Sequence, residues 1–286
     1  MKILSTSSIA LVILMIIGSQ SVNGQTTFQG KAYYNSKTSM DFSRFRGRQL
    51  TEQQKKEMEE RMKSFLEKTF ILDFNAEASM FREEEKLAAP SAGGGGGRGF
   101  GFMNSFSSGP IYKNIKTKTF VQDQEFFGKQ FLIKDQLTSY PWVMGKEMRK
   151  IGEYTAFKAT TMIPAESLNW TRPRPREAEQ NENKGEQAEE VVEMITVTAW
   201  YTPQIPVSQG PSEFWGLPGL ILELNTGETV ILCSKIIMNP KEKGAIEMPE
   251  KGKEVTKAEY NALINQKVIE LRENRMRRGG GGRTNR

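Results

Sequence analysis

The chain has 286 residues, 40 Lys and Arg against 34 Asp and Glu, a net charge of +6, one cysteine and no histidine. The missing histidine excludes Ser-His-Asp and Cys-His relays, His-ligated zinc or copper and an imidazole pH switch. A single thiol, Cys233, excludes an internal disulfide, and the modest basic excess sits largely in tails and loops.

Residues 1–24 read as a signal peptide. Lys2 is their only charge, and residues 9–18 (IALVILMIIG) form a short apolar core. That run is about half the roughly 20 apolar residues a membrane-crossing helix needs. Val22 and Gly24 place modest side chains before a cleavage point at Gln25. No cysteine stands there for lipid attachment. The expected location is the periplasm, or the periplasmic face of the outer membrane when a partner holds the chain there. Export also argues against a nucleic-acid partner. Residues 25–275, the bulk of the mature chain, suffice for a single core and are read as one domain.

Residues 27–34 (TFQGKAYY) read as a first strand. Residues 51–68 read as a helix capped by Thr51, with Gln54 completing a capping box. Met58, Met62, Phe65 and Leu66 share one face of it, a pattern of core packing. In residues 70–81 the apolar side chains occupy even positions (Phe70, Leu72, Phe74, Ala76, Ala78, Met80). Asp73, Asn75, Glu77 and Ser79 hold the odd ones. The alternation predicts one half-buried strand with the odd side chains in water.

Residues 88–109 are Gly- and Ser-rich and lack the Lys-Ser or Lys-Thr of a phosphate loop, so they read as a flexible insertion. Strand signals return at 111–121, 130–134 and 154–162. Residues 171–190 (TRPRPREAEQNENKGEQAEE) carry too little apolar surface to order themselves and read as a disordered insertion. Strands follow at 194–201, 220–224 and 229–238, the last two joined by a hairpin turn at Asn225-Thr226-Gly227-Glu228. Cys233 lies in the last strand and reads as a small core residue. Thr256 and Glu259 open a second helix, with Val255 and Tyr260 as a staple and Tyr260, Leu263, Ile264, Val268 and Leu271 as its apolar stripe. Residues 276–286 read as a disordered basic tail.

These elements predict a mainly β to α+β fold, a curved antiparallel meander sheet with two flanking amphipathic helices. Residues 199–224 (AWYTPQIPVSQGPSEFWGLPGLILEL) stand apart. Pro203, Pro206 and Pro211 cannot donate to a ladder, so part of this stretch is a crossing between strands. Leu217-Pro218-Gly219-Leu220 suits a type II turn. Trp200, Tyr201, Phe214 and Trp215 offer large amphipathic area. Two readings stay open for these aromatics: packing of a long loop over the sheet, or a groove for an amphiphile, a peptide or a partner's loop.

AWYT at residues 199–202, Ile205-Pro206, Gly210-Pro211 and GLPGLI at residues 216–221 together resemble the GLPGLI family of exported Bacteroidota proteins. KIGEYTAFKAT at residues 150–160 is similar to the family's lead-in, although Glu153 and Ala156 stand where the resemblance implies a glycine and a cysteine. The resemblance implies export, no assigned activity and association with TonB-dependent transport systems. The candidate binding or structural motif is therefore Trp200, Tyr201, Pro203, Pro206, Pro211, Phe214, Trp215, Gly216, Leu217, Pro218, Gly219, Leu220 and Ile221. No cofactor, metal or catalytic residue is expected. The expected role is a non-catalytic binding or accessory module partnered by an outer-membrane transporter or other envelope protein. The alternatives are a periplasmic carrier of a lipid or peptide, and a carboxylate hydrolase drawing on Asp73, Glu77, Asp123, Glu125, Asp135 or Glu223.

Overall fold

The computed structural model describes residues 28–39, 51–85, 108–168, 193–242 and 244–279, except the side chains of residues 61, 64, 272 and 275–279. The expected signal peptide, the expected insertion at 171–190 and nearly all of that at 88–109 lie outside the described residues.

Alternating apolar side chains and short turns build a mainly β structure, among the described residues a single open sheet of twelve strands. One meander comprises β1 (Gln29–Thr38), β2 (Glu67–Asn75), β3 (Ala78–Glu83), β4 (Ile111–Asn114), β5 (Thr119–Phe126) and β6 (Lys129–Gln136). A second comprises β7 (Val143–Ile151), β8 (Tyr154–Pro164), β9 (Met194–Thr202), β10 (Leu220–Asn225) and β11 (Thr229–Met238), and docks by pairing β11 antiparallel to β1. β12 (Lys253–Val255) is parallel to β6 and makes the sheet mixed. β12 and β7 are the two edges. The expected hairpin turn between β10 and β11 is present, with Gly227 at φ +86°.

Three helices accompany the sheet among the described residues: α1 (Glu52–Leu66), the single turn α2 (Ala165–Leu168) and α3 (Lys257–Gly279). Both expected capping boxes form. Thr51 N–H donates to Gln54 Oε1 at 3.0 Å and Gln54 N–H to Thr51 Oγ1 at 3.3 Å. Thr256 N–H donates to Glu259 Oε2 at 2.8 Å and Glu259 N–H to Thr256 Oγ1 at 3.2 Å. Of the expected stripes, Met62, Tyr260, Ile264 and Val268 are buried, while Leu263 is exposed. α3 runs to Gly279, so residues 276–279 are helix and not the start of a tail.

Two expected strands are hairpins. Residues 70–81 turn at Ala76-Glu77, because Asn75 Oδ1 accepts from the N–H groups of Glu77 (2.8 Å) and Ala78 (2.7 Å). Residues 111–121 turn after Asn114, whose Oδ1 accepts from Lys116 and Thr117 N–H, both at 3.0 Å. Each Asn side chain replaces a ladder partner with a local one and reverses the chain. The first turn pairs even positions with odd ones. Leu72 faces Phe81, and Asp73 faces Met80, so Met80 shares a sheet face with Asp73 and not with Leu72.

Both faces are covered there. Leu72, Phe74 and Phe81 enter the main core with Phe120, Phe131, Ile133 and the α3 stripe. Residues 239–242 and 244–252 run across the opposite face to reach β12. Gln29 Nε2 donates to Gly244 O at 2.9 Å, and Gly244 has no room for a Cβ, which would lie 2.0 Å from Asp73 Oδ1. Asp73 is thus fully buried beneath that segment, and Ser79, which pairs with Phe74, is buried on the core face; neither is solvated as the alternation predicts. A second core lies under β8 to β10 and includes Ala159, Val197, Ala199, Tyr201, Phe214, Leu217 and Ile221.

Candidate functional site

The segment between β9 and β10, residues 203–219, carries the motif. It folds onto itself and onto the start of β10. Val207 N–H donates to Ile205 O at 2.8 Å, Leu220 N–H to Ile205 O at 3.0 Å and Ile221 N–H to Gln209 O at 3.0 Å. Pro206 and Pro218 are exposed and lack N–H groups, so no donor is lost by turning there.

The expected type II turn at residues 217–220 does not form. Gly219 N–H donates to Leu217 O at 2.8 Å, a three-residue turn centred on Pro218, and Leu220 N–H goes instead to Ile205. Glycine is needed at 219 for space. A Cβ there would lie 2.1 Å from Thr202 O, at the closest approach of the segment to the end of β9. Gly216 takes φ +97° and packs beside the Trp142 indole.

The motif's apolar side chains point into the protein. Trp200, Tyr201, Phe214, Trp215, Leu217, Leu220 and Ile221 are all buried. Pro211 is buried, Pro203 is exposed. Phe214 stacks on Tyr140 with ring centroids 4.8 Å apart. Trp215 Nε1 donates to Thr138 O at 2.6 Å, and Lys118 Nζ lies 3.8 Å from its ring centroid. Trp142 Nε1 donates to Trp215 O at 2.8 Å. Tyr34 OH donates to Ile221 O at 2.7 Å. The polar edge of Trp215 is therefore satisfied by the chain itself, as the loop-packing reading of these residues expects.

Polar side chains that the sequence reading passed over hold the segment. Lys113 on β4 is fully buried on the core face, where it pairs with Phe120. Its Nζ donates to Gly210 O at 2.6 Å and Phe214 O at 2.9 Å. Burial pushes its pKa down to about 7, against the opposing pull of Glu213. Ser79 Oγ donates to Gln209 Oε1 at 2.8 Å. Glu213 accepts from Lys257 Nζ at 2.6 Å, which ties the segment to the first turn of α3. Tyr140 is held protonated well above the usual range by burial, then by the charge of Glu213 and a hydrogen bond to it. A lysine between strand apolars reads as solvated, so no periodicity singles out Lys113. Gln209 and Glu213 lie inside the motif and were legible only as loop residues.

The carboxylates weighed for hydrolysis are dispersed. Asp73 pairs with Arg82 (2.6 Å) and Lys31 (3.6 Å), Glu77 with Lys116 and Glu223 with Arg149. Asp123 accepts from Gln130, and Asp135 Oδ2 from Lys257 N–H at 3.2 Å. Cys233 is half-buried, and burial pushes its thiol up to about 12.

A family model described as a protein of unknown function (Porph_ging) matches residues 142–223, a span from the start of β7 into β10 that includes the whole motif. No curated protein matches the chain. Among solved structures, PNGF-II is similar in two crystal forms. One has 14% identity and a TM-score of 0.46, and the other 13% and 0.44. The match covers 83% of this chain in both, but 32% and 33% of PNGF-II, so the chain spans about a third of that protein. The Mycobacterium tuberculosis lipoprotein LppX is similar at 9% identity and TM-score 0.24, over 82% of this chain and 99% of LppX. Over residues 142–223 the chain is thus similar to an uncharacterised family.

Proposed function

We propose that this chain is a non-catalytic binding or accessory module of the cell envelope, acting in the periplasm or at the periplasmic face of the outer membrane. Its partner is another envelope protein, and the GLPGLI resemblance makes a TonB-dependent transporter the first candidate. One observation carries the reading. The aromatic side chains that would line a ligand groove are buried against the chain's own core, with Phe214 at 2% and Trp215 at 8% exposure. A rigid sheet packed in this way favours recognition through its outer surface over enclosure of an amphiphile. The dispersal of Asp73, Glu77 and Glu223 into separate ion pairs supports the non-catalytic part.

The test is chemical crosslinking of the full chain in intact cells, followed by fractionation and mass spectrometry. A discrete adduct with an envelope protein is the expected result. A lipid or peptide mass on the monomer would overturn the reading in favour of a carrier. Recovery in the cytoplasm would overturn the location.

A further inference from the structure

We propose that β7 is a docking edge for an extended, acidic segment of a partner protein, which adds to the sheet as a thirteenth strand. This rests on the binding-module reading above and names the surface and the chemistry of the partner.

Among the described residues β7 is hydrogen-bonded to β8 alone and ends the sheet. An edge strand leaves about half of its backbone donors and acceptors without a ladder partner. Every β7 residue but Ile151 is exposed, and the apolar ones strongly so: Val143 at 67%, Met144 at 51% and Met148 at 64%. Water is a poor environment for three such side chains on one strand, and a partner strand would cover them.

Charge selects the occupant. Glu147 is turned back to Lys158 Nζ at 2.7 Å, and Arg149 to Glu223 with its guanidinium over the Trp200 ring. Those two charges are spent within the sheet. Lys146 and Lys150, on either side of Met148, have no ion-pair partner among the described residues. The free edge is therefore net positive, and cross-strand opposite charges stabilise pairing.

The same lysines argue against a second copy. An antiparallel dimer that places Met148 on Met148 sets Lys146 opposite Lys150 twice, and a parallel one in register sets each lysine on its own counterpart. Like charges directly opposite are destabilising. The bulge between Met144 and Met148, which places three residues of β7 against Lys158, further blunts regular self-pairing. Met148, Arg149, Lys150 and Ile151 pair regularly with β8 and offer the straight part of the edge.

The experiment places a photoreactive residue at Lys146 or Met148 of the full chain, with controls at Lys253 on the opposite edge and Glu228 in the β10–β11 turn. Crosslinked peptides from intact cells are mapped by mass spectrometry. The expected result is an adduct from the β7 positions alone, on a partner segment carrying Asp or Glu. With the photoreactive residue at Met148, the double variant Lys146→Glu, Lys150→Glu should cut its yield about fivefold to tenfold while leaving the urea midpoint unchanged. A partner captured only at Lys253 or Glu228 would overturn the β7 assignment and leave the binding-module reading standing. A β7 adduct on a second copy or on a segment without acids would overturn the acidic-strand assignment. No protein adduct at any position would overturn both.

Discussion

Lys113 Nζ lies 2.6 Å from the carbonyl oxygen of Gly210, inside the core and across the sheet from the strand that carries it. With the second bond to Phe214 O at 2.9 Å, one side chain of β4 satisfies two carbonyls of the segment that bears GLPGLI. This contact joins the two meanders, since β4 belongs to one and the segment to the other.

Lys113→Met keeps the length of the side chain and removes its donors. Two buried carbonyls lose their partner at about 1–3 kcal/mol each, offset by relief from burying and deprotonating the amine. A net loss of about 2 kcal/mol is expected at pH 9, read from the urea midpoint. Trp215, beside Phe214, reports locally through its fluorescence.

The pH dependence has a definite sign. Lys113 falls from 10.5 in the unfolded chain to about 7 in the fold, so the unfolded chain binds the extra proton between those values. Stability from this group is therefore fully present above 10.5 and is lost as pH falls towards 7. Tyr34, Tyr140, Tyr260 and Cys233 act oppositely, because burial raises them and their contribution fades as pH rises past their unfolded values. The Lys113 effect is isolated as wild type minus Lys113→Met. That difference should grow by about 1 kcal/mol per pH unit from roughly pH 7.5 to 9.5. A flat difference would remove the argument that burial dominates at Lys113.

Gly219→Ala should destabilise by about 3 kcal/mol, since its Cβ would lie 2.1 Å from the Thr202 carbonyl oxygen and backbone must move. Pro218→Ala, at an exposed site, should cost no more than about 1 kcal/mol, through the unfolded chain. Urea unfolding of the pair separates a need for space at 219 from a need for a particular turn. Equal losses would contradict the packing account.

Cys233 should react slowly while the protein is folded. Its thiol is pushed up from 9.0 to about 12, which leaves about a thousandfold fewer thiolates than in the unfolded chain at the same pH. Reaction with a disulfide reagent near pH 8 should accelerate by about that factor in denaturant. A native rate close to the unfolded one would mean that the thiol is open to solvent.

Gly244→Ala should detach the segment that crosses the outer face, because its Cβ would lie 2.0 Å from Asp73 Oδ1. Hydrogen exchange should rise across residues 244–252 and β12, with little change in β9 and β10. Asp73→Ala would instead strip Arg82 and Lys31 of their shared carboxylate, with a loss of about 2 kcal/mol, discounted because both cations are partly exposed.

Local chemistry alone determined the capping boxes at Thr51 and Thr256, the turn at Gly227 and the strand character of most of the sheet. Each depends on residues within about four positions of one another, and no distant contact competes with them. The turns at Asn75 and Asn114 were also written locally, but a single Asn between apolar runs weighs less than the period-two pattern around it. Tertiary structure decided the rest. Asp73 and Met80 share a covered face because a hairpin reverses parity and residues 244–252 return over it. Lys113 is buried because a segment about a hundred residues away brings two carbonyls to it. The motif's aromatics line the core because β9 and β10 hold both ends of residues 203–219 against the sheet. Periodicity reports which face a side chain takes, and only the assembled sheet decides whether that face meets water or chain.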